Sequence, residues 1–183
     1  LNDVKFIDKI DYYTIKLNRS KWILKECEEV QKKYFANIEK YQLHDIASLI
    51  YHFTWHTFCD WYIEFIKSDF KDPKKSDETK KISGWVFVQT LKLLHPIMPF
   101  ITEKLWLSLV DKKSFLMSQN FIKVNFYPSF DNSKKYILKI IEILTSLRNL
   151  RADLNISYKN EIDIIIDTKN SSLKDFITDY QTE

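Results

Sequence analysis

The sequence predicts a mainly helical bundle, and three observations carry that reading. Apolar residues recur every three or four positions through most of the chain up to about residue 155. Glycine occurs once, as Gly84, in 183 residues, against an average usage of about 7%, and all-β folds need glycine at many turns. Hydrophobic residues make up 45% of the chain and aromatics 15%, enough for a packed core and too much for a disordered chain.

Residues 1–17 mix apolar and charged side chains without a clear period and form a lead-in with some helix. From Ser20, the positions Ile23, Cys27, Val30, Tyr34, Ile38 and Tyr41 define an apolar stripe. Lys25, Glu28, Glu29, Lys32 and Lys33 fill the opposite face, as on an amphipathic surface helix. A break near Gln42 to His44 leads to a second helix over about residues 44–67. Tyr51, Trp55, Phe58 and Tyr62 widen its stripe of Ile46, Ile50, Phe53, Trp61 and Phe65. A helix apolar on most faces belongs at the centre of a bundle.

Residues 68–80 read as a polar loop. Ser76, Asp77 and Glu78 then suit the start of a third helix, where carboxylates meet the positive end of the dipole. That helix runs through Trp85, Val86, Gln89 and Leu93 to His95, where Pro96 ends it. Pro99 fits the first turn of a fourth helix over residues 100–110. Residues 121–127 alternate and read as extended. Ile137, Ile141, Leu144, Leu147 and Leu154 give a fifth helix over about 133–154. Residues 161–167 read as a strand and 172–180 as a short helix. The organisation expected is a bundle over residues 1–155 and the beginning of a small, truncated α/β appendage over 156–183.

Composition also removes function classes. With one glycine, there is no Gly-x-Gly-x-x-Gly turn, phosphate loop or nucleophile elbow. No run of 18 apolar residues exists for a membrane helix. The absence of an initiating Met and of terminal caps gives the expectation of an excised segment. Cys27 and Cys59 lie in apolar helical runs and read as reduced, buried thiols of a cytoplasmic protein. Net charge is +3, mildly basic and not by itself a sign of nucleic acid. Arginine appears only at Arg19, Arg148 and Arg151. Guanidinium groups are the better readers of bases and phosphates, so these three positions carry more interest than the lysines.

Four segments now bear a resemblance. Lys21-Trp22-Ile23-Leu24 leads into Tyr41-Gln42-Leu43-His44-Asp45-Ile46-Ala47. The second is Trp55-His56-Thr57-Phe58-Cys59-Asp60-Trp61-Tyr62-Ile63-Glu64. The third is Leu93-Leu94-His95-Pro96-Ile97-Met98-Pro99-Phe100-Ile101-Thr102-Glu103-Lys104-Leu105-Trp106, and the fourth Leu147-Arg148-Asn149-Leu150-Arg151-Ala152-Asp153-Leu154-Asn155-Ile156. In this order they resemble the anticodon-binding helical domain of the valyl-tRNA synthetase family, over roughly residues 18–165. The third segment is shared with isoleucyl relatives. Ser157-Tyr158-Lys159 departs from the family, where prolines are common.

The resemblance implies the helical bundle of a class I synthetase of the Val/Ile/Leu type, with the first helix of the family domain missing. The implied partners are the anticodon stem-loop of valine tRNA and the catalytic domain of the same parent chain, in a monomer without a membrane. The family's His-Ile-Gly-His and Lys-Met-Ser-Lys-Ser signatures are absent. No catalytic residue and no cofactor is therefore expected here; ATP and Mg belong to the parent enzyme, a valine–tRNA ligase. The alternatives are an isoleucyl-type domain and a helical protein-interaction domain.

Arg148 and Arg151, three apart, share a helix face, with Lys139 and Lys135 further up that side. They form a candidate strip for the tRNA backbone, or a solvated face paired with Asp153 and Glu142. Arg19, Lys21 and Lys25 form a second candidate strip. His52 and His56 have metal-helix spacing, with Cys59 and Asp60 a turn on, but no further ligand pair follows and no metal is expected. Asp60 is read as satisfying a neighbouring helix, Cys59 as core, and His95 as contacting helix-end carbonyls. Most of the five tryptophans are read as core, with one aromatic near a bundle end free to stack on a base.

Overall fold

In the computed structural model, residues 4, 6–7, 9–122, 128–157, 159–163 and 165 are described. Helix α1 spans Asn18–Glu39 and α2 Leu43–His52. The latter continues without a break through a π-helical stretch, Phe53–Tyr62, into α3, Ile63–Ile66. Helix α4 spans Pro73–Leu94, and α5, Pro99–Leu105, runs into a second π stretch, Trp106–Val110. Helix α6 covers Asp131–Asp153. Short 3-10 turns lie at Tyr12–Thr14 and Leu116–Ser118.

The turn at residues 40–42 folds α2 back along α1. Trp22 packs against Tyr62 and Phe65 at ring distances of 6.4 and 6.0 Å, so the far end of the second helix returns to the start of α1. Helix α4 then runs beside α1 in the same direction. Glu78 meets the start of α1, and further along Gln31 Nε2 donates to Gln89 Oε1 at 3.4 Å. Helix α6 crosses α1 through a polar seam. Ser133 Oγ donates to Asn18 Oδ1 at 2.9 Å, Lys134 pairs with Glu26 and Glu29 at 3.1 and 2.7 Å, and Lys25 pairs with Asp131 at 3.4 Å.

Between these helices lie Trp22, Ile23, Leu24, Cys27, Ile50, Tyr62, Val86, Leu93 and Ile137, all with at most 1% of their surface exposed. Burial of each large side chain contributes about 1.5–3 kcal/mol. A smaller cluster of Val88, Leu91, Trp106 and Leu116 sits under α5. Burial pushes the Cys27 thiol up to about 12, so it behaves as an apolar filler.

One ionic contact ties three elements. Arg19, buried at the start of α1, pairs with the buried Asp69 at 3.1 Å and also donates to the carbonyl of Phe65 in α3. Thr79 of α4 donates to the same carboxylate at 3.3 Å. Beside it, the backbone N–H groups of Lys16 and Leu17 donate to the two carboxylate oxygens of Glu78, each at 3.0 Å.

The bundle itself matches the periodicity, and the differences have local causes. The third helix starts at Pro73, not near Ser76, because Asp72 accepts from the Lys74 N–H at 2.9 Å and Pro73 fills the first turn. The second helix is not buried on all sides. Tyr51, His52, Trp55, His56, Cys59 and Asp60 are exposed, which corrects the placement of Cys59 in the core. Residues 161–163 and 165 lie in no strand, and no strand occurs among the described residues. The remainder of that segment, residues 123–127 of the expected extended stretch and the expected helix at 172–180 lie outside them.

Replacing Arg19 by methionine leaves Asp69 buried without its main counter-charge and lowers stability in urea unfolding by about 3–5 kcal/mol. Lys139→Ala breaks only an exposed pair with Glu142 and lowers it by about 0.5 kcal/mol or less. Pairing Arg19→Met with Asp69→Leu recovers most of the loss, since no lone charge is then buried.

Candidate nucleic-acid interface

The six predicted contact residues separate by burial and partner. Arg19 is in the core against Asp69; its place in a surface strip is corrected, because a side chain only 5% exposed and already paired reaches no ligand. Lys25 is also engaged, with Glu28 at 3.3 Å and Asp131 at 3.4 Å. Burial works against its charge, but these two carboxylates outweigh it and raise its pKa. Lys139 is exposed and pairs with Glu142 at 2.8 Å. Arg151 donates to the carbonyls of Ser157 and Asn160 at 2.6 and 2.7 Å, closing the turn after α6.

Two of the six remain open to a ligand. Lys21 is half-buried, and the structure gives it no carboxylate partner among the described residues. Arg148 is exposed, and its guanidinium lies 4.8 Å from the centre of the Trp61 ring. That contact holds the plane of the guanidinium while leaving its donors to solvent. The structure therefore does not bring Arg148, Arg151 and Lys139 together as one free strip.

The histidine spacing has a different use. His56 Nδ1 lies 3.2 Å from Asp60 Oδ2, so the carboxylate serves its own helix, not a neighbour. Among the described residues, no group of three or more His, Cys, Asp or Glu side chains is placed to hold a metal ion. His95 contacts side chains of α5, not helix-end carbonyls. Its Nδ1 lies 2.8 Å from Thr102 Oγ1 and its Nε2 3.9 Å from Glu103.

One end of the bundle carries residues that the periodicity misplaced. Tyr41, counted in the stripe of α1, sits just past that helix with φ 57° and is 89% exposed. Its N–H donates to Ile38 O and the next N–H, of Gln42, to Asn37 O, both at 2.9 Å, which is a Schellman ending. Glycine or asparagine is the usual residue there. After α6 an asparagine, Asn155, does hold that position, at φ 52°. A tyrosine in the left-handed region costs about 1–2 kcal/mol, and such strain concentrates at functional sites.

Because α4 runs alongside α1, its far end lies at the same end of the bundle as this turn. There the α4–α5 turn and α5 expose Ile97, Met98, Ile101 and Phe100, the last 91% exposed. Leu43 beside Tyr41 is also exposed, as are Lys40 and Lys104. The sequence signal for these was the proline-flanked turn at residues 96–99, within the third family segment. Aromatic and apolar side chains bordered by cations are what unstacked bases and their phosphates require.

Residues 20–166 match a family whose description is the anticodon-binding domain of tRNA ligase. The valine–tRNA ligase of Pelagibacter ubique is 38% identical over 177 residues, covering 93% of this chain and 20% of that protein. The valine–tRNA ligase of Fusobacterium nucleatum is 36% identical over 183 residues, covering 92% and 19%. That of Syntrophotalea carbinolica is 33% identical over 155 residues, covering 82% and 17%. The chain spans about a fifth of the length of these relatives.

Tyr41→Gly removes the left-handed penalty and is expected to hold or raise the thermal midpoint. If the exposed ring at the end of the bundle is used for binding, the same substitution weakens RNA binding. Calorimetry and RNA titration on the one variant check both.

Proposed function

The chain belongs to the anticodon-binding domain family of the tRNA ligases, and from that premise we propose that it grips the anticodon stem-loop of valine tRNA for a valine–tRNA ligase. The observation that carries this reading is the match to valine–tRNA ligases across more than nine-tenths of the chain. Such a ligase joins valine to its tRNA in the cytoplasm with ATP and Mg, chemistry that lies in a catalytic part of a longer chain. The work of the helical bundle is positional. It holds one end of the tRNA so that the acceptor end reaches that catalytic part, and a monomer suffices.

In this reading the labour is divided. Arg148, Lys21, Lys40 and Lys104 hold phosphates and set register, as charge-based contacts do. Tyr41, Phe100 and their apolar neighbours meet splayed loop bases at the end of the bundle. Valine anticodons share a central adenosine and a third cytidine, so these are the bases to be read. An isoleucyl-type partner is the second reading, disfavoured by the valine names of the relatives. No helix among the described residues is long and apolar enough to cross a membrane.

The test is binding of this chain, at two salt concentrations, to a valine anticodon stem-loop and to one with its central base changed. The expected result is tighter binding of the valine loop, by a factor of about ten. Arg148→Ala is expected to weaken both loops alike and to reduce the salt slope by about one. Equal binding of the two loops removes base reading from this chain. No binding at low salt removes the proposal.

A further inference from the structure

Away from that end, the outer face of α2 carries a second aromatic arrangement that neither the core nor the end of the bundle uses. Tyr51 and Trp55 lie one turn apart. Their rings are parallel within 3°, with centroids 6.5 Å apart. Both are more than half exposed, at 57% and 55%. Trp22, Trp85 and Tyr62, by contrast, are buried. Neighbouring rings favour the orientation of Tyr51. Tyr51 meets the rings of His52 and His56 edge to face at 5.9 and 6.1 Å. The two imidazoles lie 5.3 Å apart, and Asp60 holds His56.

From this geometry we propose that Tyr51 and Trp55 form a stacking platform for an unpaired nucleobase of the bound RNA, distinct from the loop contacts at the bundle end. The inference rests on the RNA-binding reading above. A ring pair already held parallel takes a base with less loss of side-chain freedom at the moment of binding. A π-face accepts any base, so the platform contributes affinity and position, not sequence choice. The border of the platform is polar. His52, His56 and Asp60 offer hydrogen-bond groups to a base edge, whereas an apolar protein partner would leave these groups unmatched. Further along the same helix, Trp61 carries the Arg148 guanidinium.

The experiment compares wild type with Tyr51→Ala, Trp55→Ala, Tyr51→Phe and Trp55→Phe, each checked for an unchanged helical melt. Binding is measured to the valine anticodon stem-loop and to a set of the same RNA with single abasic positions. Each alanine is expected to weaken binding roughly 5- to 100-fold, with the salt slope unchanged and the phenylalanines close to wild type. One abasic position is expected to bind wild type weakly and to be indifferent to Trp55→Ala, the non-additivity of two groups in contact. If an alanine variant melts early, the paired phenylalanine and the abasic series carry the comparison. Alanine variants that bind as wild type overturn the platform while leaving the RNA-binding reading intact. So does weakening that no abasic position cancels, or a change in self-association in place of RNA affinity. Wild type that binds no loop overturns the earlier reading, and the platform with it.

Discussion

The buried contact between Arg19 and Asp69 is what the arrangement of the bundle depends on. It joins the first turn of α1 to the loop after α3, and through Phe65 and Thr79 it holds α3 and α4 at the same point. Two charges buried together repay their desolvation only when the geometry is good. Here the arginine reaches a carboxylate and a backbone carbonyl, and the carboxylate also accepts from a threonine. Hydrophobic burial drives the helices together, but it is not directional. A charged contact of this kind admits few alternative registers, and it determines which ends of the helices coincide.

Where the helices coincide decides which surfaces remain open. The seam between α1 and α6 consumes Lys25 and Lys134, whose pKa values are raised although burial opposes their charge. Asp131 is held below the usual carboxylate range by its bond from Ser129 and by Lys25. The basic residues that look alike in sequence are thus sorted into those spent on packing and those left over. Arg148 belongs to the second group because a ring, not a carboxylate, lies under it. A ring orients a guanidinium without neutralising it, so the charge stays available to a phosphate.

Much of the fold was legible because helical periodicity reports burial directly. The stripes of α1 and α6 and the family segments followed from residue spacing and order. The start of α4 was misjudged because the carboxylates at 77 and 78 resemble a helix start, while Asp72-Pro73 supplies the stronger cap. The site was harder to read. Arg19 looks like a surface cation until the position of Asp69, fifty residues away, is known. Cys59 and Trp55 look like core because apolar identity does not say which side of a helix the neighbours cover. Tyr41 falls on the apolar period of α1, yet the chain has already left the helix there. The α/β appendage expected after residue 155 rested on alternation alone, and its described residues adopt no strand.

Glu78 gives the fold a temporal property. The carboxylate receives the N–H groups of Lys16 and Leu17 from a position about sixty residues later in the chain. In a capping box the glutamate lies within the helix that it caps; here the third helical position is Ser20, and the function is supplied from α4. On a ribosome, the segment leading into α1 emerges long before its acceptor. The helix remains without this restraint until α4 has been made and has docked. The start of α1 therefore gains this restraint only once the third long helix is in place.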